Sequence, residues 1–165
     1  DDDAALGQSS IGQRDVALTP LQDAVIAATV ANGGVRMAPN LVQQLQSPDL
    51  SDLSSYQPQS MGEAISPDTA STLTDLMIGS ENNTSGEGKI PGVQIASKTG
   101  TAEHGSDPRN TPPHAWYIGF APAKDPKVAI AVIVEDGGDR ALAATGGSVA
   151  APIGRAVIAA ALQGR

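Results

Sequence analysis

The chain of 165 residues contains no cysteine. That excludes disulfides, thiolate metal sites and a cysteine nucleophile together. Aromatic residues make up only 2%, and hydrophobic residues 40%, so any core must be built from Ala, Val, Ile and Leu. Positive charge is scarce as well: Lys and Arg number 10 against 18 Asp and Glu, a net charge of −8 with a pI near 4.5. Such an acidic surface repels phosphate backbones, which argues against nucleic acid and anionic lipid as main partners. No apolar run approaches the ~20 residues of a membrane-spanning helix, and the longest, "VAIAVIV" at 128–134, has strand length. No leader peptide is recognisable, and the opening "DDDAALG" without an initiating Met reads as an excerpt of a longer chain. The length suits one domain or a large piece of one.

Residues 1–18 read as irregular and polar. Thr19 as a cap, Pro20 at the first helical position and Gln22 three residues after the cap predict a helix over 20–31. Its buried face would carry Leu21, Ala24, Val25, Ala28 and Thr29, and Asn32-Gly33-Gly34 supplies a left-handed stop. Residues 35–45 look extended, as a strand pair broken at Pro39-Asn40, and 46–65 read as a surface excursion. Ser66-Pro67-Asp68 opens a second helix, with Leu73, Leu76 and Met77 as its buried stripe and Gly79 as its end; 80–92 then form a loop.

The second half changes character. Residues 93–99, 114–121 and 127–135 are strand candidates joined by connections too short for crossover helices, which favours antiparallel pairing. Asp136, Asp139 and Arg140 read as an exposed turn with ordinary charge pairing. From Gly147-Ser148 to about Leu162 runs an Ala-rich helix, with Ile153, Val157, Ile158 and Ala161 on one face. The expected fold class is α/β in the α+β sense: an antiparallel sheet flanked by helices, with more faces to cover than this chain obviously has partners for.

One stretch has no hydrophobic reason to end as it does. In "IASKTGTAEHG" a core strand runs into Lys98-Thr99-Gly100-Thr101. Strand alternation puts Lys98 and Gly100 on one face, Thr99 and Thr101 on the other. Two hydroxyls on one face can hold a carboxylate, Lys98 adds positive potential, and Gly100 lets a peptide-like ligand lie against the strand. An unpaired N–H on that strand could also stabilise an oxyanion.

Alone, a Lys-Thr-Gly triplet is common. Together with "SKTGTAE" (97–103), "HAWYIGFAP" (114–122), "IGQRDVALTPLQ" (11–22) and "ANGG" (31–34), in this order and spacing, it resembles the C-terminal half of the transpeptidase domain of class B penicillin-binding proteins. "PGVQIASKTGTAEHG", "TPPHAWYI" and "AAPIGRAVI" are similar to actinobacterial, including mycobacterial, members. The resemblance covers nearly the whole chain, so residues 1–165 are expected to be the C-terminal portion of one such domain.

The resemblance implies a transpeptidase/β-lactamase-like fold and a serine-type D,D-transpeptidase that cross-links peptidoglycan stem peptides, binds penicillin and needs no cofactor. Lys98 would supply positive potential and hydrogen bonding beside the nucleophile. Thr99 and Thr101 would bind the carboxylate of a D-Ala-D-Ala stem or a β-lactam, Gly100 would permit close approach, and the Thr101 backbone N–H would form half of the oxyanion hole. A parent protein of this kind would sit at the outer face of the cytoplasmic membrane, anchored by an N-terminal helix absent here.

The nucleophile itself is absent: no Ser stands three residues before a Lys. Ser80-Glu81-Asn82 matches the family's Ser-x-Asn formally, but it lies just before the Lys-Thr-Gly strand rather than well upstream of "IGQ". The missing half of the domain is the expected partner of this chain. Two alternatives stay open, a D,D-carboxypeptidase or β-lactamase of the same fold, and a non-catalytic β-lactam sensor or peptidoglycan-binding module. His104 and His114 lack a third ligand at sensible spacing, so no metal site is expected; His104 would lie at the cleft rim or on a surface loop. Glu103 reads as a turn or ion-pair residue, Trp116 and Tyr117 as strand core, and the leading Asp residues as solvated. "GEGK" at 86–89 lacks the spacing of a phosphate loop.

Overall fold

The computed structural model describes residues 2–164. Helix α1 spans Asp3–Ser10, α2 Pro20–Ala31, α3 Pro67–Asn83 and α4 Ala151–Gln163. Strands β1 (Val35–Met37) and β4 (Ser60–Glu63) form one antiparallel ribbon, and β2 (Gln44–Gln46) and β3 (Asp52–Ser55) form another. Strands β5 (Ala96–Ala102), β6 (His114–Ala121) and β7 (Val128–Val134) form an antiparallel sheet in that order.

The α+β architecture expected from the sequence is therefore present. The capping box at α2 is formed: Thr19 Oγ1 accepts from Gln22 N–H at 3.2 Å, and Gln22 Oε1 accepts from Thr19 N–H at 2.8 Å. The helix bounds at 20–31 match. Its buried residues are Ala27, Thr29 and Val30, whereas Leu21 and Ala28 are exposed, so the helix is rotated from the face predicted by spacing.

Four other expectations need correction. Residues 3–10 are helical rather than irregular, because Asp2 caps α1 by accepting from Ala5 N–H; Asp2 also pairs with Arg14, so it is engaged rather than merely solvated. Asp1 lies outside the described residues. The extended stretch 35–45 does not pair with itself: β1 and β2 take their partners from 52–63, which makes the surface excursion a pair of exposed ribbons. Helix α3 runs through Gly79 to Asn83, and Lys89 Nζ caps it on the carbonyls of Glu81 and Asn82 at 3.2 and 3.0 Å. Leu73 and Met77 pack inward, but Leu76 is exposed. Finally, α4 begins at Ala151 after a π-turn over Gly146–Ala150 that is capped by Thr145. Its buried face is Ala151, Gly154, Arg155 and Ile158, while Ile153 and Val157 are exposed.

The two faces of the sheet are covered by different elements. On one, Val30 of α2 and Met77 of α3 pack on Ala96 and Phe120. On the other, Ala150, Ala151 and Ile158 pack on Ala115 and Tyr117. One turn beyond Met77, Glu81 already reaches this second face. The chain thus covers both faces itself; the two outer strands, β5 and β7, each keep one edge without a strand partner among the described residues.

Candidate active site

The β5 edge carries Lys98–Thr101. Lys98 Nζ donates to the Thr99 carbonyl at 2.6 Å, and Gln13 Nε2 donates to the Thr101 carbonyl at 3.3 Å. The N–H and C=O of one strand residue point to the same side. Thr99 and Thr101 therefore turn both backbone groups away from β6, toward the open edge. Gln13, from the "IGQ" stretch, fixes the far end of the segment, a role the sequence did not reveal.

Thr99 and Thr101 share a face, as alternation predicts. They line a cavity of about 340 Å³ with Ser80, Asn83, Thr84, Ser85 and the Thr145–Gly147 turn. Its lining side chains are hydroxyls and one amide, with no charged group. The turn comes close because Gly146 has no side chain: a Cβ there would lie 2.4 Å from the Trp116 carbonyl oxygen and 2.6 Å from that of Gly100. Its N–H faces Thr101 Oγ1 at 3.4 Å. Lys98, which is exposed, and half-buried Gly100 line a second, wider cavity of about 560 Å³ with Gln13, Asp23, His104 and Trp116. Burial raises the pKa of the Asp23 carboxyl there.

Behind β5 lies a buried polar cluster that sequence reasoning missed. Glu81 and Arg155 are 5% and 0% exposed, and Arg155 Nε meets Glu81 Oε1 at 2.8 Å. The other carboxylate oxygen accepts from Ser97 Oγ at 2.5 Å and from Tyr117 O–H at 3.1 Å. Arg155 also donates to the carbonyls of Thr84, Ser85, Gly86 and Glu87 at 2.8–3.3 Å. Burial, first of all, holds the pKa of the Tyr117 phenol well above its ordinary value, and the Glu81 charge adds to this. Two sequence signals were available. Arg155 is a lone cation in an Ala-rich helix, and Glu81 is the middle residue of the set-aside Ser80-Glu81-Asn82, which proves helical rather than part of a loop.

His104 and His114 do acquire a third neighbour, contrary to expectation. Asp136, across the turn after β7, brings Oδ1 to 3.1 Å from His104 Nε2 and 3.9 Å from His114 Nδ1. Asp136 is therefore paired with the histidines rather than within its own turn. The rings are stacked 3.8 Å apart at 11°, so their in-plane lone pairs run parallel instead of converging. His114 Nδ1 already accepts from Asp136 N–H at 3.1 Å, and His104 Nε2 lies 2.9 Å from the Pro112 carbonyl. The group is a hydrogen-bonded stack at the rim of the wider cavity.

An edge strand with paired threonines, a lysine and outward-facing backbone groups can hold an extended ligand that carries a carboxylate. The chain matches the penicillin binding protein transpeptidase domain over residues 2–159, and it belongs to that family. The peptidoglycan D,D-transpeptidase PbpA of Mycolicibacterium smegmatis is 68% identical over 162 residues, covering 98% of this chain and 33% of the relative. The PbpA of Mycobacterium tuberculosis is 65% identical over 163 residues, 99% of this chain and 33% of that protein. A solved structure of penicillin-binding protein A from M. tuberculosis, a ceftriaxone acyl-enzyme complex, superposes with a TM-score of 0.95 at 65% identity, covering 98% of this chain and 36% of that one. The penicillin G acyl-enzyme complex of the same protein gives 0.89 at 64%, again covering 98% and 36%. This chain spans about a third of the length of the curated relatives it matches.

Proposed function

We propose that residues 1–165 form the C-terminal part of the transpeptidase domain of a peptidoglycan D,D-transpeptidase, and that the nucleophilic serine comes from a preceding part of the same protein. The observation that carries this reading is the open edge of β5, where Thr99 and Thr101 present hydroxyls to one cavity and backbone groups to the outside. A stem peptide ending in D-Ala-D-Ala lies along that edge by strand addition, with Gly100 allowing close contact. Its terminal carboxylate is held by the Thr99 and Thr101 hydroxyls in a pocket with no competing negative side chain. The ammonium of Lys98 favours the anionic ligand and the developing oxyanion.

The serine Oγ bonds to the carbonyl carbon of the penultimate D-Ala, and its proton passes to a base on the absent segment. The Thr101 N–H donates to the resulting oxyanion. Collapse breaks the peptide bond, and the terminal D-Ala leaves as the protonated amine. An amine on a neighbouring stem then attacks the ester, forms the cross-link and returns the serine. A β-lactam is a strained acyl donor with a carboxylate at the matching place, and it would acylate the same serine. Peptidoglycan as substrate is supported by what the relatives are called; anchorage at the outer face of the cytoplasmic membrane belongs to the same proposal and rests on the family resemblance.

The test is labelling with a fluorescent penicillin. The whole protein, with the preceding coding segment, should take one covalent label, and Thr101→Val should slow labelling at least tenfold. The isolated chain should take none. A whole protein that resists labelling, or an isolated chain that is labelled, would overturn the assignment.

A further inference from the structure

We infer that the buried Glu81–Arg155 pair, with Ser97 and Tyr117, is a positioning group for the carboxylate pocket of Thr99 and Thr101; this rests on the transpeptidase reading above. Three elements build that pocket. They are strand β5, the end of α3 with the segment 84–87, and the glycine turn leading into α4. They meet at one carboxylate. Ser97, which donates to Glu81 at 2.5 Å, is the residue immediately before Lys98 and shares the face of Thr99 and Thr101. Tyr117, the other donor to the same oxygen, stands directly opposite Thr99 in the β5–β6 register. Arg155 ties the remaining oxygen to α4.

The second part of the argument is electrostatic. The end of α3 and the segment after it stand beside the region where a substrate carboxylate would sit, since Ser80, Asn83, Thr84 and Ser85 line the pocket. Unmet carbonyls at a helix C-terminus carry partial negative charge and would repel that carboxylate. Here they are taken up. Arg155 donates to those of Thr84, Ser85, Gly86 and Glu87, and Lys89 donates to those of Glu81 and Asn82. The cluster thus fixes where the two hydroxyls stand and removes the field that would oppose their ligand, although none of its charged atoms lines the cavity. Geometric errors of about 1 Å at such a site cost on the order of 100-fold in rate.

The experiment uses the whole protein and two acyl donors. One is a fluorescent penicillin, which carries the carboxylate. The other is a thioester of the same acyl chain whose leaving group has none. Ser97→Ala and Tyr117→Phe are the test variants, since each removes one donor to Glu81 and leaves the ion pair in place. Met77→Ala, in the other core cluster, is the control for general loosening. Ser97→Ala should lower the second-order acylation constant for the penicillin by roughly tenfold and for the uncharged donor by less than twofold; Tyr117→Phe should do the same to a smaller degree. Met77→Ala should not discriminate between donors. Equal losses with both donors, no loss with either, or the same discrimination in Met77→Ala would overturn the positioning role. A wild-type protein that neither donor acylates would overturn the transpeptidase reading and this inference with it.

Discussion

The sheet β5–β7 and the ribbons β1–β4 and β2–β3 share a secondary structure but not its support. Sheet residues Ala96, Ser97, Ala115, Tyr117 and Phe120 are completely buried, with helices on both faces. In the ribbons, every residue of β2, β3 and β4 is exposed, including Leu45, Leu53 and Met61. Exposed hydrogen bonds hold the ribbons, backbone pairs together with contacts such as Gln46 Nε2 to Asp52 Oδ1 at 3.2 Å, whereas the sheet is held by packing and by a buried ion pair at its rear. Polar chemistry is therefore anchored where burial makes each hydrogen bond consequential. Strands alone carry no such guarantee.

The largest test of this contrast is Arg155→Met in the whole protein. It leaves Glu81 buried without its cation and should cost about 3–5 kcal/mol, read by chemical denaturation. A loss below about 1 kcal/mol would remove the distinction between the regions. Next comes Gly146→Ala. Its Cβ would collide with two carbonyl oxygens, so the turn must move off β5, at about 1–3 kcal/mol and with slower penicillin acylation. Leu53→Ser, in the exposed ribbon, should change stability by no more than about 0.5 kcal/mol. The smallest effect concerns the loop joining β2 and β3. The hydroxyls of Ser47 and Ser51, and the Ser51 N–H, hold the exposed Asp49 carboxyl down at about 2 from an ordinary 3.8. Its folded pKa is depressed, so any contribution to that turn is complete above pH 3.8 and disappears as the pH falls through about 2. A carboxyl titration followed by NMR should place the midpoint near 2, and a midpoint near 3.8 would mean that the turn is not formed.

Local signals were legible where a single residue type decides a conformation. Thr19, Pro20 and Gln22 fix the start of α2, and Ser66 with Pro67 fixes that of α3. Alternation placed Thr99 and Thr101 on one face. Signals failed where the partner is distant. Gly79 looked like a helix end because glycine is a poor helix former, yet α3 continues for another turn, closed by Lys89 and tied down through Glu81. The face of α4 was misplaced because hydrophobic spacing favoured Ile153 and Val157, while the sheet accepts Gly154 against Tyr117 and a fully buried Arg155. The histidine stack is likewise a meeting of residues 10 to 32 positions apart in sequence.

By itself, the sequence determined the strand that carries Lys98-Thr99-Gly100-Thr101, the family it resembles and the absence of a nucleophilic serine beside a lysine. Those features depend on residue type at short separations, which a one-dimensional reading contains. The tertiary structure alone decided that the strand is an open edge, that Gln13 holds its far end, and that Glu81 and Arg155, 74 positions apart, meet behind it. The reason is physical: a buried charge is tolerable only when its partner arrives with it, and which distant residue arrives is settled by packing.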